Sequence, residues 1–145
     1  MSAPRTTPAH PGSTVDERLA FACGVARIVT DNRCEDTVVL DLRGLSSVAD
    51  FFVIATGTSD RQMHATLADV EDYARSVGRK PFRVADSSSA NWILADYVDV
   101  IVHLFDARHR AHYDLEGLWG DAPRVNWQAV AGAAVGGPRS EPTAS

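Results

Sequence analysis

The sequence predicts an α/β fold: a single domain with a mixed five-stranded sheet and flanking helices, in the order αββαβββα. Three observations carry this. Helical and strand-like hydrophobic periods alternate along residues 14–121. The segment Phe51–Thr56 is apolar almost without interruption, so it reads as a central strand covered on both faces. A helix separates the second strand from the third, as a parallel crossover requires, while the tight turn at Asp96-Tyr97 favours antiparallel neighbours.

The first helix runs from about Val15 to Asp31. Thr14 followed by Glu17 is a capping-box pattern, and Val15, Leu19, Ala22, Ala26 and Val29 form one apolar face. The first strand is Thr37–Leu42, with Val38, Leu40 and Leu42 on one side and Gly44 at its end. After Phe51–Thr56, Gly57-Thr58 turns the chain into a second helix, capped by Ser59 with Gln62. Met63, Leu67, Val70, Ala74 and Val77 make its buried stripe, and Gly78 stops it. A short strand, Phe82–Val84, precedes a polar loop at 86–91. Trp92–Ala95 and Val98–Phe105 are the last two strands. The final helix spans Ala107–Trp119, capped by Asp106, with Ala107, Ala111, Leu115 and Leu118 as its core stripe.

Six of the seven prolines lie outside residues 14–121. The flanks, 1–13 and 122–145, are rich in Pro, Gly, Ala, Ser and Thr and read as disordered tails around one domain at 14–121. Met1–Gly12 lacks the apolar block of a secretory signal, and Pro4, Pro8 and Pro11 would break the amphipathic helix of a transit peptide. A cytoplasmic location is expected. Residues 14–121 carry 18 acids and 11 bases, a net of −7. A domain this acidic is poorly suited to phosphate backbones but well suited to a basic protein.

The turn at Gly57-Thr58-Ser59 joins a strand to a helix N-terminus, where backbone N–H groups could hold an anion. Nucleotidyl transfer at such a turn needs carboxylates converging on Mg²⁺. No Asp-x-Asp pair follows, and Asp96 and Asp99 flank a turn. A helix cap is the simpler reading. His64, His103, His109 and His112 show no metal-ligand pattern beyond the spacing of three between the last two, and Cys23 and Cys34 have none. No catalytic residue, cofactor or metal is expected. On the strand 99–105, Val100, Val102 and Leu104 face the core. Asp99, Ile101, His103 and Phe105 form the other face, which is either an interface or a half-covered sheet. Trp119, with His112 and Glu116, projects beside the last helix's stripe. Trp119 and Trp92 are each a partner anchor or a closure of the core edge.

Six blocks stand in order: Asp41–Gly44, Ser47–Ile54, Ala55–Gln62, Ser89–Asp96, Asp99–His103 and Tyr113–Trp119. Together they resemble the Iojap, or ribosomal silencing factor (RsfS), family over roughly residues 15–121. The resemblance implies a nucleotidyltransferase-like fold without transferase chemistry. It implies binding to the large ribosomal subunit through its basic protein L fourteen, steric block of small-subunit joining, and lowered translation under nutrient limitation. It also implies a homodimer off the ribosome. The partner-binding residues carried over are Trp92, Asp96, Asp99, His103, Tyr113, Glu116 and Trp119. The alternatives are a divergent nucleotidyltransferase, which the missing carboxylates oppose, and a dimeric adaptor unrelated to ribosomes.

Overall fold

The computed structural model describes residues 15–87 and 92–129. Helix α1 (Val15–Asp31) leads into strands β1 (Glu35–Asp41) and β2 (Phe51–Thr56). Helix α2 (Asp60–Ser76) is followed by β3 (Arg83–Ser87), β4 (Trp92–Asp96) and β5 (Val100–Phe105). Two short helices, α3 (Ala107–Tyr113) and α4 (Leu115–Leu118), complete the order. The five strands form one sheet ordered β1-β2-β5-β4-β3. β2 and β5 are parallel, and every other pair is antiparallel. The mixed sheet is therefore as expected. The crossover through α2 carries the chain past β5 and β4 to the far edge.

The pleat sends successive side chains to opposite faces, and each face has its own core. On one, Val39, Phe51, Val53, Val100, Val102 and Leu104 meet α1 and α2. On the other, Leu40, Leu42, Phe52, Ile54, Ile101 and Phe105 meet Ala122, Leu115 and Trp119. All six residues of β2 and all six of β5 are buried. Two-sided burial explains why Phe51–Thr56 lacks alternation. Between the helices, a Cβ at Gly24 would lie 2.1 Å from the Tyr73 hydroxyl. The missing Cβ makes room for the Tyr73 ring between α1 and α2.

Local signals account for most element ends. Ser59 Oγ accepts from Gln62 N as the cap of α2, while Gln62 Oε1 accepts from Thr58 N, one residue before the position a capping box would use. Gly78 takes the left-handed conformation, φ +78°, and ends α2. Asp106 caps α3 by accepting from His109 N. Thr14 of the first capping box, and Ser88–Asn91 of the expected loop, lie outside the described residues.

Four expectations are corrected. The last helix is not continuous: Asp114 adopts φ 48°, ψ 53°, ends α3 and then caps α4 through Gly117 N. This reset of phase spoils the single-helix stripe. Ala107 and Ala111 are exposed, Leu115 is half-buried, and Leu118 is 71% exposed. Val77 is also exposed, because it is the C-cap of α2 rather than part of its stripe. β3 runs on through Asp86 and Ser87, which pair with Ile93 and Trp92, because ladder hydrogen bonds override the polar composition. Finally, the chain does not leave the domain at 121. Asp41 N donates to Pro123 O and Val125 N to Val39 O, so residues 123–125 pair with the free edge of β1. Trp127 then buries in the α1/α2 core and donates Nε1–H to Thr37 O.

This strap crosses from one face of the sheet to the other. Trp127→Ala removes a buried aromatic and should lower unfolding free energy by about 3 kcal/mol or more. The urea midpoint measures this, and a midpoint equal to the parent's would mean that the strap adds nothing to the fold.

Candidate functional site

Among the described residues, the sheet face opposite α1 and α2 is thinly covered. Alternation along β4 and β5 places Trp92 and Leu94 beside His103 and Phe105, with Phe52 from β2 adjoining. Trp92 lies parallel to Phe105 at 5.7 Å and to His103 at 6.5 Å. Phe52 meets His103 edge-on at 4.6 Å. The cover is the α3–α4 pair. Tyr113 packs on Trp92 and Phe105 at 5.5 and 5.6 Å, and Trp119 meets Phe52 edge-on at 6.2 Å. Neither short helix buries a residue of its own. Tyr113 is 47% exposed and Leu118 71%. The result is an aromatic layer whose outer surface carries large apolar groups in water, as partner anchors do.

Arg110 fixes this cover. Its Nε and Nη2 donate to the two Glu116 oxygens at 3.2 and 2.7 Å. Its Nη1 donates to Asp36 O at 2.7 Å and to Thr56 Oγ1 at 2.9 Å. The Asp36 carbonyl is available because β1 bulges there, with Asp36 at φ 52°. The Arg110 bonds hold the Glu116 carboxyl below the usual range.

The seven expected partner residues divide. Trp92, His103, Tyr113 and Trp119 come together in the aromatic layer. Glu116 lies on the same cover but faces inward to Arg110. Asp96 sits at the other end of β4 from Trp92, roughly 13 Å away at about 3.3 Å per residue. Its carboxylate accepts from Val98 N at 2.8 Å, fixing a turn where Val98 has φ 76°. Asp99 is not part of the site. It is 3% exposed, accepts from Arg79 Nη1 at 2.8 Å, and lies 3.8 Å from Arg18. Arg18 also donates to buried Asp50, and Arg79 stacks over Phe21 at 4.6 Å. Asp99 thus neutralises buried guanidinium groups, and it cannot also present a charge to a partner. His103 is 5% exposed, so it supports the layer from below rather than reaching its surface.

Sequence reasoning placed Phe105 on the candidate face of its strand but missed Arg110, Phe52 and Leu118 as parts of this site. A helical wheel broken at Asp114 could have found Leu118. Arg110 carries no local signal, since its partners lie 6 to 74 residues away.

The turn after β2 leaves little for an anion. Gly57 N donates to Phe105 O, Thr58 N to Gln62 and Gln62 N to Ser59. The buried carboxylates Asp50 and Asp99 precede β2 and β5, at the opposite end of the sheet. That is roughly 20 Å from Gly57 at about 3.3 Å per strand residue. His64 is engaged with Asp86 and Asp60 O, and His109 with Asp106, while His112 meets Tyr113 edge-on. Among the described residues, no group of three or more His, Cys, Asp or Glu side chains is placed to hold a metal ion.

Burial pushes His103 down to about 4 from its ordinary 6.5, and neither ring nitrogen has a hydrogen-bond partner. The unfolded chain takes up this proton near pH 6.5, whereas the folded chain refuses it until about pH 4. Stability is therefore full above pH 6.5 and falls as pH drops through this window, by about 3 kcal/mol. His103→Phe should flatten that acid limb in urea titrations between pH 7 and 4. An unchanged slope would place the proton elsewhere. Asp99→Ala should cost about 3–5 kcal/mol of stability, while the folded fraction keeps any partner affinity. Full stability with lost binding would return Asp99 to the interface.

A family model described as "Ribosomal silencing factor during starvation" matches residues 16–144. The ribosomal silencing factor RsfS of Halalkalibacterium halodurans is 40% identical over 102 residues, 70% of this chain and 87% of the relative. That of Bacillus subtilis is 43% identical over 93 residues, 64% of this chain and 79% of the relative. The chloroplastic protein Iojap of Zea mays is 36% identical over 112 residues, 75% of this chain and 47% of the relative. A solved structure from Chromobacterium violaceum matches with TM-score 0.66 at 30% identity, covering 74% of this chain and 88% of that one. Another, from Bacillus halodurans, matches with TM-score 0.61 at 35% identity, covering 71% and 93%. The aromatic layer and its thin cover are thus features of a chain that belongs to the RsfS family of ribosomal silencing factors.

Proposed function

We propose that this domain binds the large ribosomal subunit through its basic protein L fourteen and stands in the way of the small subunit, so that translation falls when nutrients are limiting. The observation that carries this reading is the family match over residues 16–144. The aromatic cover supports it physically. Trp92, Tyr113, Leu118 and Trp119 offer a rigid apolar surface, the kind from which most binding energy comes. The −7 charge of residues 14–121 steers a basic partner toward it. No covalent step is needed: a wedge that overlaps the joining surface and leaves slowly is sufficient. The domain acts without cofactor or metal, works in the cytoplasm, and pairs with itself when off the ribosome.

The experiment is sedimentation of the purified protein with isolated subunits. It should travel with large subunits, not with small ones, and should reduce formation of the joined ribosome. Leu118→Arg should abolish most of this binding without loss of stability, because Leu118 is 71% exposed. Trp119→Ala should cost about 2 kcal/mol of binding, roughly thirtyfold in affinity. Equal binding to both subunits, or unchanged joining, would sink the reading. A Leu118→Arg protein that binds like the parent would move the interface off the cover.

A further inference from the structure

We propose that Arg110 is a positioning residue for the docking surface: its guanidinium latches the α3–α4 cover in the one orientation that a partner recognises. Glu116, on this account, serves the latch and does not contact the partner. The inference rests on the docking reading above and adds to it the device that keeps the surface formed.

Besides Arg110, the cover is held by the packing of Leu115 and Trp119 against the core of this face and by the Ala122 N–H donating to Trp119 O. α3 and α4 bury no residue between them. They are joined through Asp114 in the left-handed conformation, a single-residue corner that sets the angle between the two helices. Tyr113 and Trp119 rest on the layer below through tilted and edge-on ring contacts, which are less directional than hydrogen bonds to a charged group. Arg110 instead makes four directional bonds that converge from three elements: two to Glu116 on α4, one to the Asp36 carbonyl on the β1 bulge, and one to Thr56 Oγ1 at the end of β2. A planar guanidinium with fixed donor directions sets angle as well as distance, which an ammonium group would not do. Arg124 of the strap stands 3.9 Å from the same Glu116 oxygen that Arg110 Nη2 contacts, so the latch also reaches the segment closing the β1 edge. The Arg110 side chain is 11% exposed and that of Glu116 21%, so the pair is shielded from most of the water that weakens surface ion pairs.

The consequence is quantitative. If only the latched cover binds, apparent affinity falls in proportion to the latched fraction. Arg110→Gln keeps a polar stem but loses the fork and the charge. The test uses the full-length chain and isolated large subunits, with hydrogen exchange read peptide by peptide. Arg110→Gln should weaken binding about tenfold or more. Exchange should quicken over residues 107–119, while β2 and β5 stay protected, and the latched fraction from exchange should account for the affinity lost. Glu116→Gln should act in the same direction more weakly, and it serves if Arg110→Gln fails to fold. Val70→Ala is the comparison. It destabilises the opposite core, where Val70 is buried, and should leave affinity unchanged as long as the protein is folded. Parent-like binding by an Arg110→Gln protein with a loosened cover would overturn the proposal. So would lost binding with the cover still protected, since Arg110 would then touch the partner directly. If the parent itself ignores large subunits, the docking reading fails, and exchange over 107–119 still reports whether Arg110 holds the cover.

Discussion

The parallel pairing of β2 with β5 is the constraint on which the rest depends. Both strands are buried on both faces along their full lengths. A parallel pair cannot be closed by a hairpin, so the chain must travel through α2, β3 and β4 to return. Two buried faces must also be covered by separate elements. α1 and α2 supply one thick layer. Among the described residues, the other face is covered by two short helices and a strap.

That inequality shapes the surface. On the α1/α2 side, the Tyr73 ring of α2 lies against the backbone of α1 at Gly24. On the other side, aromatic side chains do what a helix backbone does not. Trp92, His103, Phe105 and Phe52 lie in a layer, and Tyr113 and Trp119 roof it. A roof this thin leaves apolar groups in water. The unpartnered ring nitrogens of His103 and the indole nitrogen of Trp92 beneath it are polar atoms shut away without hydrogen bonds. Such groups count against stability. Leu118 stands exposed above them. The charged residues divide along the same line. Asp50 and Asp99 neutralise Arg18 and Arg79 inside the domain, whereas Arg110 and Glu116 fix the roof.

Much of the fold was legible in the residues. The unbroken apolar run of β2, the stripe of α2 through Ala74, and the caps at Ser59 and Asp106 depend on neighbours a few residues away, and they formed as read. The blocks shared with the RsfS family also singled out Trp92, His103, Tyr113 and Trp119, which the structure brings into one layer. The failures have a common cause in contacts distant along the chain. Leu118 was assigned to the core on the assumption of one continuous helix, and the left-handed Asp114 broke the period. Residues 122–127 look like tail by composition, yet the free edge of β1 gives their backbone partners and the α1/α2 core takes Trp127. Asp99 looks like an available charge until Arg79, 20 residues earlier, occupies it.

The sequence by itself determined the elements and their order from α1 through β5, the mixed character of the sheet and the family, because periodicity, caps and motif blocks are local or collinear properties. Tertiary structure alone decided which charges are spent internally, which face of the sheet is left thin, and how the roof is held. Those outcomes depend on pairings such as Arg110 with Asp36, 74 residues apart. Nothing in the local chain encodes such a meeting; it exists only once the sheet has brought β1, β2 and α3 to the same place.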